Sequence, residues 1–201
     1  FDSTFIGFDN YEMFFRDPQL TTALRNTFIY AVITSGLKVI ISLPLAVLLT
    51  SGLRLQGFFR SVIFFPVLVS AVAVGITFST LMQPSTGLIN LSLDVIGVNG
   101  PNWLGDPDLA IYSVALIDVW KGIGIATLIF IAGIMSIPTD YFDVALLEGG
   151  LWVKFRHVIL PLSRNATFTV ILLSFIGGLR SFDIIWTTTR GGPGFASDVL
   201  T

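Results

Sequence analysis

Apolar residues in this chain fall into four long runs, at about 27–51, 58–82, 109–137 and 166–188. A helix that crosses a bilayer needs about 20 mostly apolar residues, so each run predicts one span of an all-α, polytopic membrane bundle. Pro44 and Pro66 lie inside the first two runs. They predict kinks, because proline removes a backbone donor and crowds the preceding turn. Between the second and third runs, turn-forming residues cluster at 83–87, 97–101 and 105–107. Residues 88–96 read as a short interfacial helix. Trp103 suits a membrane surface, with its apolar body and polar N–H.

Composition agrees with lipid as the solvent. The chain is 53% hydrophobic and 12% charged, with mean hydropathy +0.84; a soluble domain carries about 25% charge. A net charge of −2 lacks the basic face that nucleic acid requires. With no cysteine and one histidine, His157, neither a disulfide framework nor a metal cluster is expected. No G-x-x-x-x-G-K-[ST] loop is present, and no Ser–His–Asp set, so the chain is not expected to be an enzyme. Residues 1–26 carry scattered charges and do not read as a signal peptide.

Lysine and arginine in short loops set orientation. Arg54 and Arg60 follow the first run, and Lys154, Arg156 and Arg164 follow the third, whereas 83–108 holds only Asp94, Asp106 and Asp108. The first and third connections therefore read as cytoplasmic and the middle one as external. Both ends then lie outside, which leads us to expect a further span before residue 1.

Residues 138–161 form the most distinctive stretch. Pro138 fits a first helical turn, with Ser136 as an N-cap candidate. Asp140 and Asp143 complement the helix dipole. Ala145, Leu146 and Leu147 supply an apolar face, and after Glu148 the pair Gly149-Gly150 predicts a break. A second short helix follows over 151–160, with Trp152, Phe155, Val158 and Ile159 apolar and Lys154, Arg156 and His157 polar, ending at Pro161. The result is a knob too charged to cross a bilayer and too apolar to stand free in water. Docking on a protein partner, lying on anionic headgroups and a plain solvated loop all remain open.

Charges also fall inside the runs. Asp118 with Lys121, and Arg180 with Asp183, are three residues apart, a spacing at which side chains share a helix face. Lys38 has no local partner and is flanked by Thr34 and Ser42. Such residues often line a pathway, which makes Lys38, Asp118, Trp120 and Lys121 pathway candidates; self-paired bridges and snorkelling are the alternatives. Trp120 and Phe130 offer faces either to a solute or to lipid. Gly122, Gly124 and Gly133 predict close helix approach.

Asp143, Val144, Ala145 and Gly149, followed by Val158-Ile159-Leu160-Pro161, resemble the EAA loop of ABC-importer permeases. Asp replaces Glu, Val replaces Ala, and the chain is one residue short between Gly149 and Val158, a deletion best absorbed at the glycine turn. Gly7-Phe8-Asp9-Asn10-Tyr11, Arg25-Asn26-Thr27, Phe59-Arg60 before Phe65-Pro66, Asn102-Trp103-Leu104, Asp118-Val119-Trp120-Lys121, Phe182-Asp183 and Gly191-Gly192-Pro193 are similar, in order, to marks of the sugar-type branch. The resemblance implies an inner-membrane, multi-pass permease that translocates a carbohydrate or related solute using ATP hydrolysed on another subunit, with a span expected before residue 1 and another after residue 201, so that the bundle is truncated at both ends. It makes Asp143, Ala145, Leu146, Glu148, Gly149, Phe155 and Pro161 the ATPase-coupling residues. It implies two ABC ATPase subunits, a second, homologous permease subunit, an extracytoplasmic solute-binding protein and the lipid bilayer as partners. ATP would sit on the partner, with no cofactor on this chain. The competing reading is a multi-span scaffold or membrane enzyme whose basic loop binds lipid.

Overall fold

The computed structural model of the chain describes residues 7–52 and 54–200, apart from the side chain of Glu148. Among these residues the regular structure is helical. The order is α1 (Asp9–Arg16), α2 (Pro18–Thr50), α3 (Gln56–Leu68), α4 (Ala71–Leu81), α5 (Leu88–Val95), α6 (Ala110–Met135) and α7 (Thr139–Val153). A π-helix (Lys154–Ile159), α8 (Leu160–Leu162), α9 (Arg164–Leu179) and α10 (Asp183–Thr188) follow.

Two helices are long and apolar enough to cross a membrane, α2 and α6. The first apolar run begins at 27, but α2 starts at Pro18, because Asp17 caps it. The Asp17 carboxylate accepts the Gln19 N–H at 2.8 Å and the Leu20 N–H at 3.4 Å. The helix continues through Pro44. The second run is interrupted instead of continuous. Val69, in extended conformation, ends α3 and donates to the Pro66 carbonyl, and α4 begins two residues later. The fourth run also divides. Its first part, α9, has 16 residues, about 24 Å of helix and short of the ~30 Å hydrocarbon core. The chain leaves the helix at Arg180–Phe182 before α10.

The residues fall into two compact units. One comprises Phe1–Ala31, Ala71–Ile117 and Leu179–Thr201; the other comprises Val32–Ser70 and Asp118–Gly178. In the first unit α4 and α10 pack together. Gly75 makes this possible, since a Cβ there would collide with the Thr187 side chain. Buried Tyr30 reaches Ser181, hydroxyl to hydroxyl, at 3.2 Å. After the α4 turn, α5 is held by buried Asn90. Its amide donates to the Pro84 and Pro101 carbonyls, both at 3.1 Å, and it accepts the Trp103 indole N–H at 2.6 Å. The polar end of Trp103, read from sequence as belonging to a membrane surface, is thus engaged within the protein.

The second unit packs an apolar core between α2 and α6. Leu43, Ala46 and Leu49 of α2 meet Ala126, Phe130, Ile131 and Ile134 of α6, with Ile159, Ala166 and Val170 closing the cluster. Phe130 is fully buried there, so it is a packing residue and not a pathway face. The α6 glycines act as close-approach positions. A Cβ on Gly124 would sit 2.7 Å from the Ile63 carbonyl oxygen, and one on Gly133 would sit 2.7 Å from the Ala166 Cβ. Arg60 of α3 reaches back to the Leu49 carbonyl at 3.4 Å, a cation set against the last turn of α2, where the helix dipole is negative.

Candidate coupling knob and buried ion pair

The knob predicted over 138–161 forms within the second unit, with different local chemistry. Pro138, at φ −56° and ψ 140°, is itself the N-cap of α7 and no side chain caps the helix. The Ser136 hydroxyl donates instead to the Gly133 carbonyl at 2.7 Å, finishing α6. The break falls at Gly149 and Gly150. Gly149 is extended, whereas Gly150 has φ +73° and ψ −154°, a combination open essentially to glycine alone. The turn therefore depends on Gly150, which the motif comparison did not single out.

Beyond the turn the chain widens into a six-residue π-helix, where the Leu160 N–H donates to the Phe155 carbonyl five residues back. Pro161 gives the physical reason. It lacks an N–H and its ring crowds the carbonyl four residues earlier, at His157, so a wider turn relieves the clash. The segment Gly149–Leu162 then meets α9 at a 62° bend.

Ala145 and Val158 are buried with Ile137 under Phe142 and Val153. The Lys154 ammonium lies 4.5 Å from the centre of the Phe142 ring, and Phe155 stacks on Trp152 at 6.0 Å. These contacts form the base. The tip is bare: Leu147 is 89% exposed, Leu151 77% and Trp152 67%. Asp143, Leu146, Gly149 and Pro161 are also exposed, and the Glu148 side chain lies outside the described residues. A cleft of about 450 Å³ opens on the same knob, lined by Asp140, Tyr141, Val144, Ala145, Val153, His157 and Val158. Of the seven predicted coupling residues, the structure thus places Asp143, Leu146, Gly149 and Pro161 on the surface, with Ala145 and Phe155 supporting it. Leu147, Leu151 and Trp152 are the exposed apolar residues that motif matching left out. Their hydrophobicity next to a glycine break was the available signal.

The intramembrane charges pair differently from their sequence spacing. Asp118 accepts from Lys38 of α2 at 2.7 Å, with the two side chains 17% and 9% exposed. Lys38, read from sequence as lacking a local partner, therefore has one across the helix interface. Lys121 forms no ion pair among the described residues. Gly122 explains the choice: a Cβ there would stand 2.7 Å from Lys38 Cε and 2.8 Å from Nζ, so the lysine stem runs over the glycine to reach Asp118. The second i,i+3 pair does not form either. Arg180 lies in the break and Asp183 in the first turn of α10, so no single helix face carries both, and no bridge joins them. No group of three metal-ligating side chains occurs among the described residues.

An all-helical chain with a buried cross-helix ion pair, a glycine-broken knob and membrane-length helices has the form of a transport-system membrane component. Sequence comparison fixes the class. The model of the binding-protein-dependent transport system inner membrane component matches residues 20–199, and the chain belongs to that family. It is a component of an inner-membrane transport system and not an enzyme. The probable ABC transporter permease protein YurN of Bacillus subtilis is 35% identical over 205 residues, covering 100% of this chain and 70% of its own length. The trehalose/maltose transport system permease protein MalF of Thermococcus litoralis is 31% identical over 201 residues, covering 100% and 68%. A crystal structure of a bacterial ABC transporter involved in the import of the acidic polysaccharide alginate superposes with TM-score 0.81 at 23% identity, covering 99% of this chain and 71% of that one. At that identity the likeness carries the fold, an ABC-importer permease helical bundle.

Proposed function

We propose that the chain is the permease subunit of an ABC importer, carrying a carbohydrate or related solute inward with ATP hydrolysed on a separate subunit. The observation that carries the reading is the apolar tip of the knob, Leu147, Leu151 and Trp152, exposed above a packed base. An apolar surface this bare beside carboxylates fits a protein socket. Relatives that transport trehalose or maltose and arabinooligosaccharides support the solute class. The assembly would hold two ATPase subunits, a second permease and an extracytoplasmic solute-binding protein, with ATP bound only by the ATPases. Closure of the ATPase pair would move the knob, and the bend into α9 would pass that movement to the spans, a two-state element biased by a ligand elsewhere. Trp120, 41% exposed, and half-buried Lys121 are the pathway-facing candidates; Lys38 and Asp118 brace them. Lipid binding by the basic loop is less favoured, because the Lys154 ammonium is already placed over Phe142.

The test uses Leu147→Asp with Trp152→Ser, beside a deletion of 143–151. Both variants should abolish ATPase co-purification and solute uptake while the permease still reaches the membrane. Full ATPase association in either would sink the coupling reading. Charge reversal at Lys154 and Arg156 that released the isolated loop from anionic vesicles, with ATPase pairing intact, would favour the lipid reading.

A further inference from the structure

The bend that follows the knob turns on a single residue. Ser163 joins the arm Gly149–Leu162 to α9, and the two segments meet there at 62°. Its backbone stands at φ −85° and ψ 9°, whereas a helical residue has ψ of about −42°. The difference, about 50° in one dihedral, is close in size to the bend itself. The hydrogen-bond ladder still runs through this point. The Ser163 N–H donates to the Ile159 carbonyl and the Thr167 N–H to the Ser163 carbonyl, both at 2.9 Å. The angle is therefore set by one residue and not by a gap in the backbone bonds.

The Ser163 side chain is poorly served by this geometry. It is 1% exposed, and its hydroxyl has no hydrogen-bond partner among the described residues. A buried hydroxyl on a helix usually donates to the carbonyl of the preceding turn. The residues just beyond do so: Thr167 donates to the Ser163 carbonyl at 3.1 Å and Thr169 to the Asn165 carbonyl at 2.9 Å. Arg60 Nε is also buried and unpaired, but its guanidinium is engaged elsewhere, at the Leu49 carbonyl. Ser163 has no second polar atom, so the desolvation of its side chain goes uncompensated.

The surroundings leave room for a second arrangement. Val158 of the arm is buried in the knob with Ile137 and Ala145, whereas Ala166 and Val170 of α9 are buried in the bundle with α2 and α6. Of the arm's buried residues, Ile159 alone joins the bundle cluster. The seam between α9 and α6 is made of small residues, with the Ala166 Cβ set against Gly133, so α9 can tilt there without side chains interlocking.

We infer that Ser163 is the pivot of the coupling stroke: the bend between arm and α9 straightens in one state of the transport cycle, and the hydroxyl takes there the partner it lacks here. With the arm gripped by an ATPase, that rotation tilts α9. The inference rests on the proposed function for what grips the arm, and it makes Ser163 a positioning residue.

The test uses the whole transporter in nanodiscs, with cysteine-free ATPases and nitroxides on Arg156→Cys and Ile176→Cys. Both positions are exposed, and the chain has no cysteine of its own. They lie about 10 and 20 Å of helix from Ser163, so their backbones are about 26 Å apart at the observed bend and about 30 Å apart when straight. Pulsed electron spin resonance without nucleotide, and after trapping with ATP and vanadate, should show the mean distance differing by about 4 Å between the two states. A difference below about 2 Å, half of that expectation, would mean a rigid arm and overturn the inference. Ser163→Ala should melt no lower than the parent and keep its ATPases, yet hold the shorter distance in both states and lose severalfold in uptake per ATP hydrolysed. A Ser163→Ala transporter that melts lower, or one with parent-like uptake per ATP, would equally overturn it. Failure of the ATPases to co-purify with the parent sinks the coupling reading and the pivot together; an unchanged distance with ATPases bound sinks the pivot alone.

Discussion

Removing one partner of the Lys38–Asp118 bridge is the sharpest test of how the second unit is held. The two charges are 2.7 Å apart, with 9% and 17% of their side chains exposed, so little solvent reaches either one. Asp118→Asn keeps the shape but leaves the lysine ammonium buried without a counter-charge. Breaking a buried pair in this way costs about 3–5 kcal/mol. At roughly 2–4 °C per kcal/mol for a protein of this size, the lower bound corresponds to a melting-point drop of about 6–12 °C. Lys38→Met should cost a similar amount, whereas Lys38→Met with Asp118→Leu should recover much of it, because neither charge is then stranded. The assay is thermal unfolding of the detergent-purified protein as a four-member cycle, whose interaction energy should exceed about 2 kcal/mol. Gly122→Ala should mimic the single variants in the parent background and be milder once Lys38 is methionine, since the added Cβ meets the lysine stem. Single variants that melt within 1 °C of the parent, or a double variant as unstable as the sum of both, would refute the reasoning.

Other expectations are simpler. Gly150→Ala should cost about 1–3 kcal/mol locally and reduce uptake and ATPase co-purification, while Gly177→Ala, where a Cβ meets nothing within 4 Å, should leave both intact. Asn90→Ala removes three hydrogen bonds at about 1 kcal/mol each; it should lower the melting point and shift Trp103 emission to the red. Gly75→Leu should separate α4 from α10, seen as loss of the folded peak in size-exclusion chromatography, because the Thr187 side chain already occupies the space.

The chain by itself determined what depends on local composition. Runs of apolar residues make membrane-length helices, as α6 at Ala110–Met135 shows against a run read at 109–137. Glycine and proline mark the breaks of the knob, because their backbone preferences act within a few residues. The acidic-to-basic order of 138–161 was equally legible, whereas its reading as a coupling element came from the resemblance to the EAA loop. Only the tertiary structure decided which charges meet. Asp118 has Lys121 one turn away and Lys38 eighty positions away, and it pairs with Lys38, because Gly122 lets another helix close to lysine-stem distance. The Arg180–Asp183 pair was lost to a helix break that apolar periodicity does not register. The Arg25-Asn26-Thr27 motif likewise showed its use only when folded, as Asn26 fastened the loop that follows Gly191-Gly192-Pro193. Sequence sets which groups must avoid lipid; the close approach of helices far apart in the chain sets which partner each one finds.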